Sequence, residues 1–173
     1  MRIKPASHSS KYQVSGVKCQ VCFIISRMAD TGYSGTPLVK KLGFKSPLKV
    51  WVINAPHEYP AWLGELPEGV TLLTTLAPGA SAGEAKPPVE AVHLFATESE
   101  FLDAMLSKLR KELKQDGFVW VSWPKKTSKV PTDITEDTIR EIALPLGFVD
   151  TKVCAVSEVW SGLKLVIRKS ERA

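Results

Sequence analysis

The chain has 173 residues, of which 44% are hydrophobic and 24% charged, with three cysteines and a formal net charge of +5. This length suits one domain with a real core, at the usual ~100–200 residues per domain. The basic excess sits in residues 1–27, which hold Arg2, Lys4, Lys11, Lys18 and Arg27 and no acid. Residues 28–173 hold 18 basic and 18 acidic residues, and a neutral globular part argues against nucleic acid, which selects a domain-wide basic footprint.

In the leader, the longest apolar run is Val21–Ile25. That is shorter than the ~7–15-residue apolar region of a signal peptide. No run reaches the ~20 apolar residues of a membrane span, so no membrane contact is expected and a cytoplasmic location is. The acid-free, Ser- and Lys-containing leader shares features with transit peptides, but it is poor in arginine and has no amphipathic helix. The composition shift at Met28 favours that residue as the start. Residues 1–30 are therefore read as a disordered or non-native leader, and 31–170 as a single α/β domain.

Cys19 and Cys22 have C-x-x-C spacing. Zinc takes about four ligands, usually from two such pairs or a pair plus histidines. No second pair exists, His8, His57 and His93 are scattered, and Cys154 stands alone. No metal is expected, and no disulfide framework, which fits a reducing compartment.

Thr36 is a natural N-cap and Pro37 suits the first position of a short helix that Gly43 ends. Leu48–Asn54 carries a continuous apolar run, Val50 to Ile53, of the kind buried on both faces of a parallel sheet. His57–Leu66 reads as a short helix, and Val70–Leu76 as a strand. Residues 77–88, rich in Gly, Ala and Pro, read as a flexible surface loop.

Val89–Ala96 is the next strand. Thr97-Glu98-Ser99-Glu100 has the pattern of a capping box. Phe101, Leu102, Met105, Leu106, Leu109 and Leu113 recur at helical spacing, which predicts a buried stripe ending before Asp116-Gly117. Lys108 and Lys111 fall on the solvent side. Phe118–Trp123 is a strand, followed by a polar loop with three lysines. Asp133-Ile134-Thr135-Glu136 starts a helix burying Ile139, Ile142 and Leu146. Val149–Glu158 and Trp160–Lys169 then predict a closing hairpin around Ser161-Gly162.

Strand, helix, strand, helix and hairpin is how a Rossmann-like sheet ends when its last strand turns back. The expected fold is a reduced Rossmann-like α/β domain, with a mostly parallel sheet flanked by helices and an antiparallel C-terminal hairpin. Methyltransferase-like sheets have this order. The cofactor anchors of such folds are missing: the turn Asn54-Ala55-Pro56-His57 has no glycine, and Ala77-Pro78 follows the next strand with no acid. No cofactor is expected. No G-x-S-x-G occurs. His93 lies inside a strand, where a hydrogen-bonded core histidine is the natural role. His57 follows a strand end and is the better-placed base, but no catalytic residue is assigned.

Two loops remain as candidate sites. Ser34, Gly35 and Thr36 offer hydroxyls and N–H groups at a helix start, an arrangement suited to anions. Trp123, Lys125 and Lys126 follow a buried strand at its carboxyl end, where open α/β sheets bind ligands. Asn54 and His57 follow another such strand and are expected to share a shallow pocket with the two lysines.

GYSGTPLVKKLG, KVWVINAP, the VSWPKK…VPTDITED run and WSGLKLVIRK together resemble a family of small bacterial proteins of unknown function. The likeness runs from Thr31 to Lys169 and implies a compact cytoplasmic α/β domain, with no functional residue to carry over. The sequence thus points to a non-catalytic ligand- or protein-binding module, with an anionic small molecule or a protein as partner. The alternative is a degenerate methyltransferase-like or other transferase enzyme.

Overall fold

The computed structural model describes residues 35–75 and 88–172. The chain runs α1 (Leu38–Leu42), β1 (Leu48–Ile53), α2 (Tyr59–Leu63), β2 (Val70–Thr75), β3 (Val89–Phe95), α3 (Ser99–Glu112) and β4 (Leu113–Pro124). A 3-10 turn (Lys126–Ser128), α4 (Glu136–Ala143), β5 (Phe148–Ala155), β6 (Trp160–Ile167) and a last 3-10 turn (Lys169–Glu171) follow. The expected leader, the C-x-x-C pair, Ser34 and nearly all of the 77–88 loop lie outside the described residues.

Six strands form one sheet in the order β2-β1-β3-β4-β6-β5. β1 pairs in parallel with β2 and β3, and β3 with β4. β6 is antiparallel to both β4 and β5. The expected Rossmann-like fold is therefore present. A short hairpin inserts β6 into the gap that α4 opened by carrying β5 to the sheet edge.

Each central strand is apolar on both faces because both are covered. Trp51, Ile53, Val92, Leu94, Val119, Val121, Leu163 and Leu165 belong to the core under α3 and α4. Val50, Val52, Ala91, Phe95 and Trp120 belong to the core under α1 and α2. Leu102, Leu106 and Leu109, spaced four and three apart, put one side of α3 wholly inside. Burying each such leucine is worth ~1.5–3 kcal/mol.

Local details depart from the sequence expectations. Leu113 is buried, but as the first residue of β4, opposite Val89, and the helix stops at Glu112. Met105 and Lys108 are half-buried; the Lys108 ammonium lies 5.8 Å from the Trp51 ring centroid. Pro37, not Thr36, is the N-cap of α1. The Thr97–Glu100 box does not form. Glu98 is the N-cap and makes no side-chain bond, and Asp133 of the next loop supplies the acceptor to the Ser99 N–H at 2.8 Å. Thr135 caps α4, with Thr138 reciprocating.

The hairpin turns at residues 156–159, where the Ser157 hydroxyl accepts from the Val159 and Trp160 N–H groups at 3.2 Å each. Gly162 lies inside β6, opposite Ser122 and Cys154. It is needed there because a Cβ would come within 2.9 Å of Val156 Cγ2 and 3.3 Å of Trp120 Cε3.

Candidate functional site

β1 is flanked by β2 on one side and β3 on the other. The chain leaves β1 toward β2, so the carboxyl ends of β1 and β3 bracket a topological switch point, the usual ligand position in open α/β sheets. A cleft of about 260 Å³ opens there. Asn54 lines it from the end of β1. Phe95, Ala96, Thr97 and Glu98 line it from the end of β3, Phe101 from the first turn of α3, and Trp160 from the start of β6.

The cleft is amphipathic. Phe95 is buried, and its ring meets Trp160 edge-on at 5.1 Å between centroids. Asn54 holds φ at +54°, a left-handed conformation that Asn tolerates better than most residues. The Thr97 carbonyl is already used, accepting from the Thr132 hydroxyl at 2.7 Å. Asn54, Glu98 and the Thr97 side chain remain as the polar contributors.

Behind the aromatic wall runs a buried polar chain. The Tyr59 hydroxyl lies 2.6 Å from His93 Nδ1, and His93 Nε2 lies 2.7 Å from the Ser122 hydroxyl. His93 also stacks on Phe95, with centroids 4.5 Å apart. Burial lowers the His93 pKa to about 3, so the ring is neutral and has one donor and one acceptor nitrogen. One hydroxyl donates to it and the other accepts from it. Burial, helped by the nearby Cys154 thiol, pushes the Tyr59 phenol above its usual range.

Ser–His proximity of this kind is also the geometry of an activated nucleophile. Both side chains are completely buried, so no substrate reaches Ser122. The chain instead ties α2 to β3 and β4, and His93 has the hydrogen-bonded core role expected of it.

The other sequence candidates do not assemble with Asn54. His57 is exposed, with Nδ1 3.3 Å from Glu58 Oε2, and is not in the cleft lining. Trp123 is buried in the core under α3 and α4. The Lys125 N–H donates to the Val159 carbonyl and its ammonium to the Ser157 carbonyl, both at 2.8 Å, so this lysine fastens its loop to the hairpin turn. Lys126 is exposed and outside the lining, as are Gly35 and Thr36. Sequence reasoning missed Phe95, Thr97, Phe101 and Trp160. The available signal was that Val89–Ala96 is the strand across the switch point from β1.

Residues 84–169 match a protein family described as of unknown function (DUF3052), in agreement with the resemblance read from the sequence. No curated protein matches the chain. Among solved structures, an S-adenosylmethionine-dependent methyltransferase from Aquifex aeolicus superposes with a TM-score of 0.56 at 12% identity, over 84% of this chain and 98% of its own. A fibrillarin pre-rRNA processing protein from Methanococcus jannaschii gives 0.54 at 12% identity, over 78% and 70%. At such identities the likeness is one of fold alone, a Rossmann-like α/β sheet.

That fold raises S-adenosylmethionine as a ligand, and the described residues do not fit it. The turn after β1 has no glycine, and Pro56 removes an N–H where a backbone donor is needed. At about 260 Å³, the cleft is below the ~300–1,000 Å³ common for small-molecule sites. Among the described residues, no helix is long and apolar enough to cross a membrane.

Proposed function

We propose that the chain is a non-catalytic binding module that seats a small planar ligand in the switch-point cleft. The observation that carries this reading is the composition of the cleft at that place in the fold. Phe101 and Trp160, both half-buried, offer ring surface to a flat apolar group, with the buried Phe95 backing Trp160, while Asn54 and Glu98 sit where polar edges of the same ligand would emerge. A heteroaromatic base of nucleoside size has that chemistry. Glu98 is the one ionisable side chain among the described lining residues, with no histidine, cysteine or second acid beside it, which favours binding over turnover. An anionic ligand draws less support at this cleft, because its one charged residue is Glu98 and the Lys125 ammonium is engaged by Ser157.

A thermal-shift panel of adenosine, S-adenosylmethionine and inorganic phosphate tests the reading. A ligand at ~100 times its dissociation constant stabilises by ~2.7 kcal/mol. Stabilisation by adenosine, lost in Asn54→Gly, supports the binding module. Asn54→Gly suits the test because glycine keeps the left-handed backbone while removing the side chain and its amide. Stabilisation by S-adenosylmethionine alone supports the transferase alternative. Phosphate alone would return attention to the lysine loops.

A further inference from the structure

On the α1 side of the sheet the charges of Lys152 and Lys45 act on Lys164, and those of Lys152 and Lys41 act on the neighbouring Cys154, so four lysines lie near one another. Lys152 of β5 and Lys164 of β6 are register partners. Like charges placed directly opposite in a sheet are destabilising. The Lys152 ammonium reaches across to donate to the Lys41 carbonyl at 2.8 Å, which brings it against the last turn of α1. The Lys164 ammonium lies 4.1 Å from the Phe118 ring centroid, and Phe118 stacks with Phe44 at 6.5 Å. Burial lowers the Lys164 pKa, and the charges of Lys152 and Lys45 lower it further.

None of the ion pairs among the described residues involves these lysines. Asp150, on the same strand as Lys152, is taken by Arg140. Among the described residues, positive charge is therefore gathered here, partly desolvated and paired with no acid. A lysine ammonium has three donors. Lys152 spends one on the Lys41 carbonyl and keeps two.

We propose that Lys41, Lys45, Lys152 and Lys164 form a binding surface for a ligand carrying several phosphate groups. Closely spaced point charges with spare donors match phosphate oxygens, and a multiply charged anion relieves the cross-strand repulsion that a single carboxylate would leave half in place. This surface is separate from the cleft at the carboxyl edge and does not depend on it. The plain alternative is a set of solvated lysines whose charges water and salt screen.

Thermal melts with tripolyphosphate against chloride at matched ionic strength separate the two, since matching removes general screening. Tripolyphosphate should raise the wild-type Tm beyond the chloride control. Lys152→Glu should abolish most of that rise and melt no lower than wild type in chloride, because glutamate opposite Lys164 replaces repulsion by attraction. Lys45→Ala, at an exposed position, should reduce the rise, and Lys111→Ala on the other side of the sheet should leave it intact. Anisotropy with a labelled single-stranded oligonucleotide distinguishes the phosphate source. Strand binding weakened by Lys152→Glu assigns a nucleic-acid backbone, and a tripolyphosphate response without strand binding assigns a free polyphosphate. No wild-type rise beyond chloride together with no strand binding, or an equal rise in Lys152→Glu, overturns the proposal.

Discussion

Asp133 closes the N-terminus of α3 from the following loop, its carboxylate taking the Ser99 N–H at 2.8 Å and the Ser99 hydroxyl at 2.5 Å. Orphan N–H groups at a helix start need acceptors, and the positive end of the helix dipole favours an anionic one. The capped turn is the turn that presents Glu98 and Phe101 to the cleft, so this contact positions part of the site. The Ser99 hydrogen bonds hold the Asp133 carboxyl below its ordinary range. A carboxyl lowered by folding stabilises fully above its unfolded pKa of ~3.9 and loses that contribution as pH falls through the folded value. Asp133→Ala should therefore be less stable than wild type at neutral pH, and the two should converge in strong acid. Urea melts across that range check this.

The buried histidine sets a second acid dependence. The His93 pKa is lowered from 6.5 to about 3, so between these values the unfolded chain binds a proton that the folded one refuses. The stabilisation is whole above pH 6.5 and drains as pH falls toward 3, at up to ~1.4 kcal/mol per pH unit for one proton. His93→Gln keeps hydrogen-bonding capacity without titrating. It should flatten the stability curve over that window, and an unchanged slope would place the acid sensitivity elsewhere.

Leu106 is completely buried under the sheet. Leu106→Ala should cost ~2–5 kcal/mol in equilibrium denaturation. A loss near the half kcal/mol typical of surface sites would contradict the packing of α3.

Gly162 meets Val156, Trp120 and Ser122 where a Cβ would stand. Gly162→Ala should cost roughly 1–3 kcal/mol, the usual range for overpacking a filled core. The β-branched Val156 and the Trp120 ring have little freedom to retreat. The same variant should perturb the His93–Ser122 hydrogen bond, readable as a shift of the His93 ring signals in NMR.

The strands were legible because buried parallel strands read as continuous apolar runs, and Val50–Ile53 and Val119–Val121 are such runs. The α3 stripe was legible from helical spacing at Leu102, Leu106 and Leu109. What failed was decided at a distance in the chain. Asp133 outcompetes Thr97 for the α3 cap from 34 residues away, which no local pattern encodes. Gly162 looked like a turn residue because glycine marks turns and close approaches alike, and only the position of Trp120 distinguishes them. The cleft combines ends of β1, β3 and β6, so Trp160 joins Asn54 only after the sheet order is known. The Lys125 contact was hidden for the same reason, since its partner Ser157 lies in a hairpin turn the sequence had placed elsewhere.

The proposed function places a planar ligand in the switch-point cleft. An NMR titration of the labelled protein with adenosine tests it most directly, following the Asn54 side-chain amide and the Trp160 indole N–H. The chain has five tryptophans, so Trp160→Phe assigns the indole signal. A ligand in the cleft should give saturable shifts at Asn54 and Trp160, with the buried Trp120 and Trp123 indoles nearly still. Saturable shifts confined to other surfaces, or none at either cleft residue at millimolar adenosine, would contradict it.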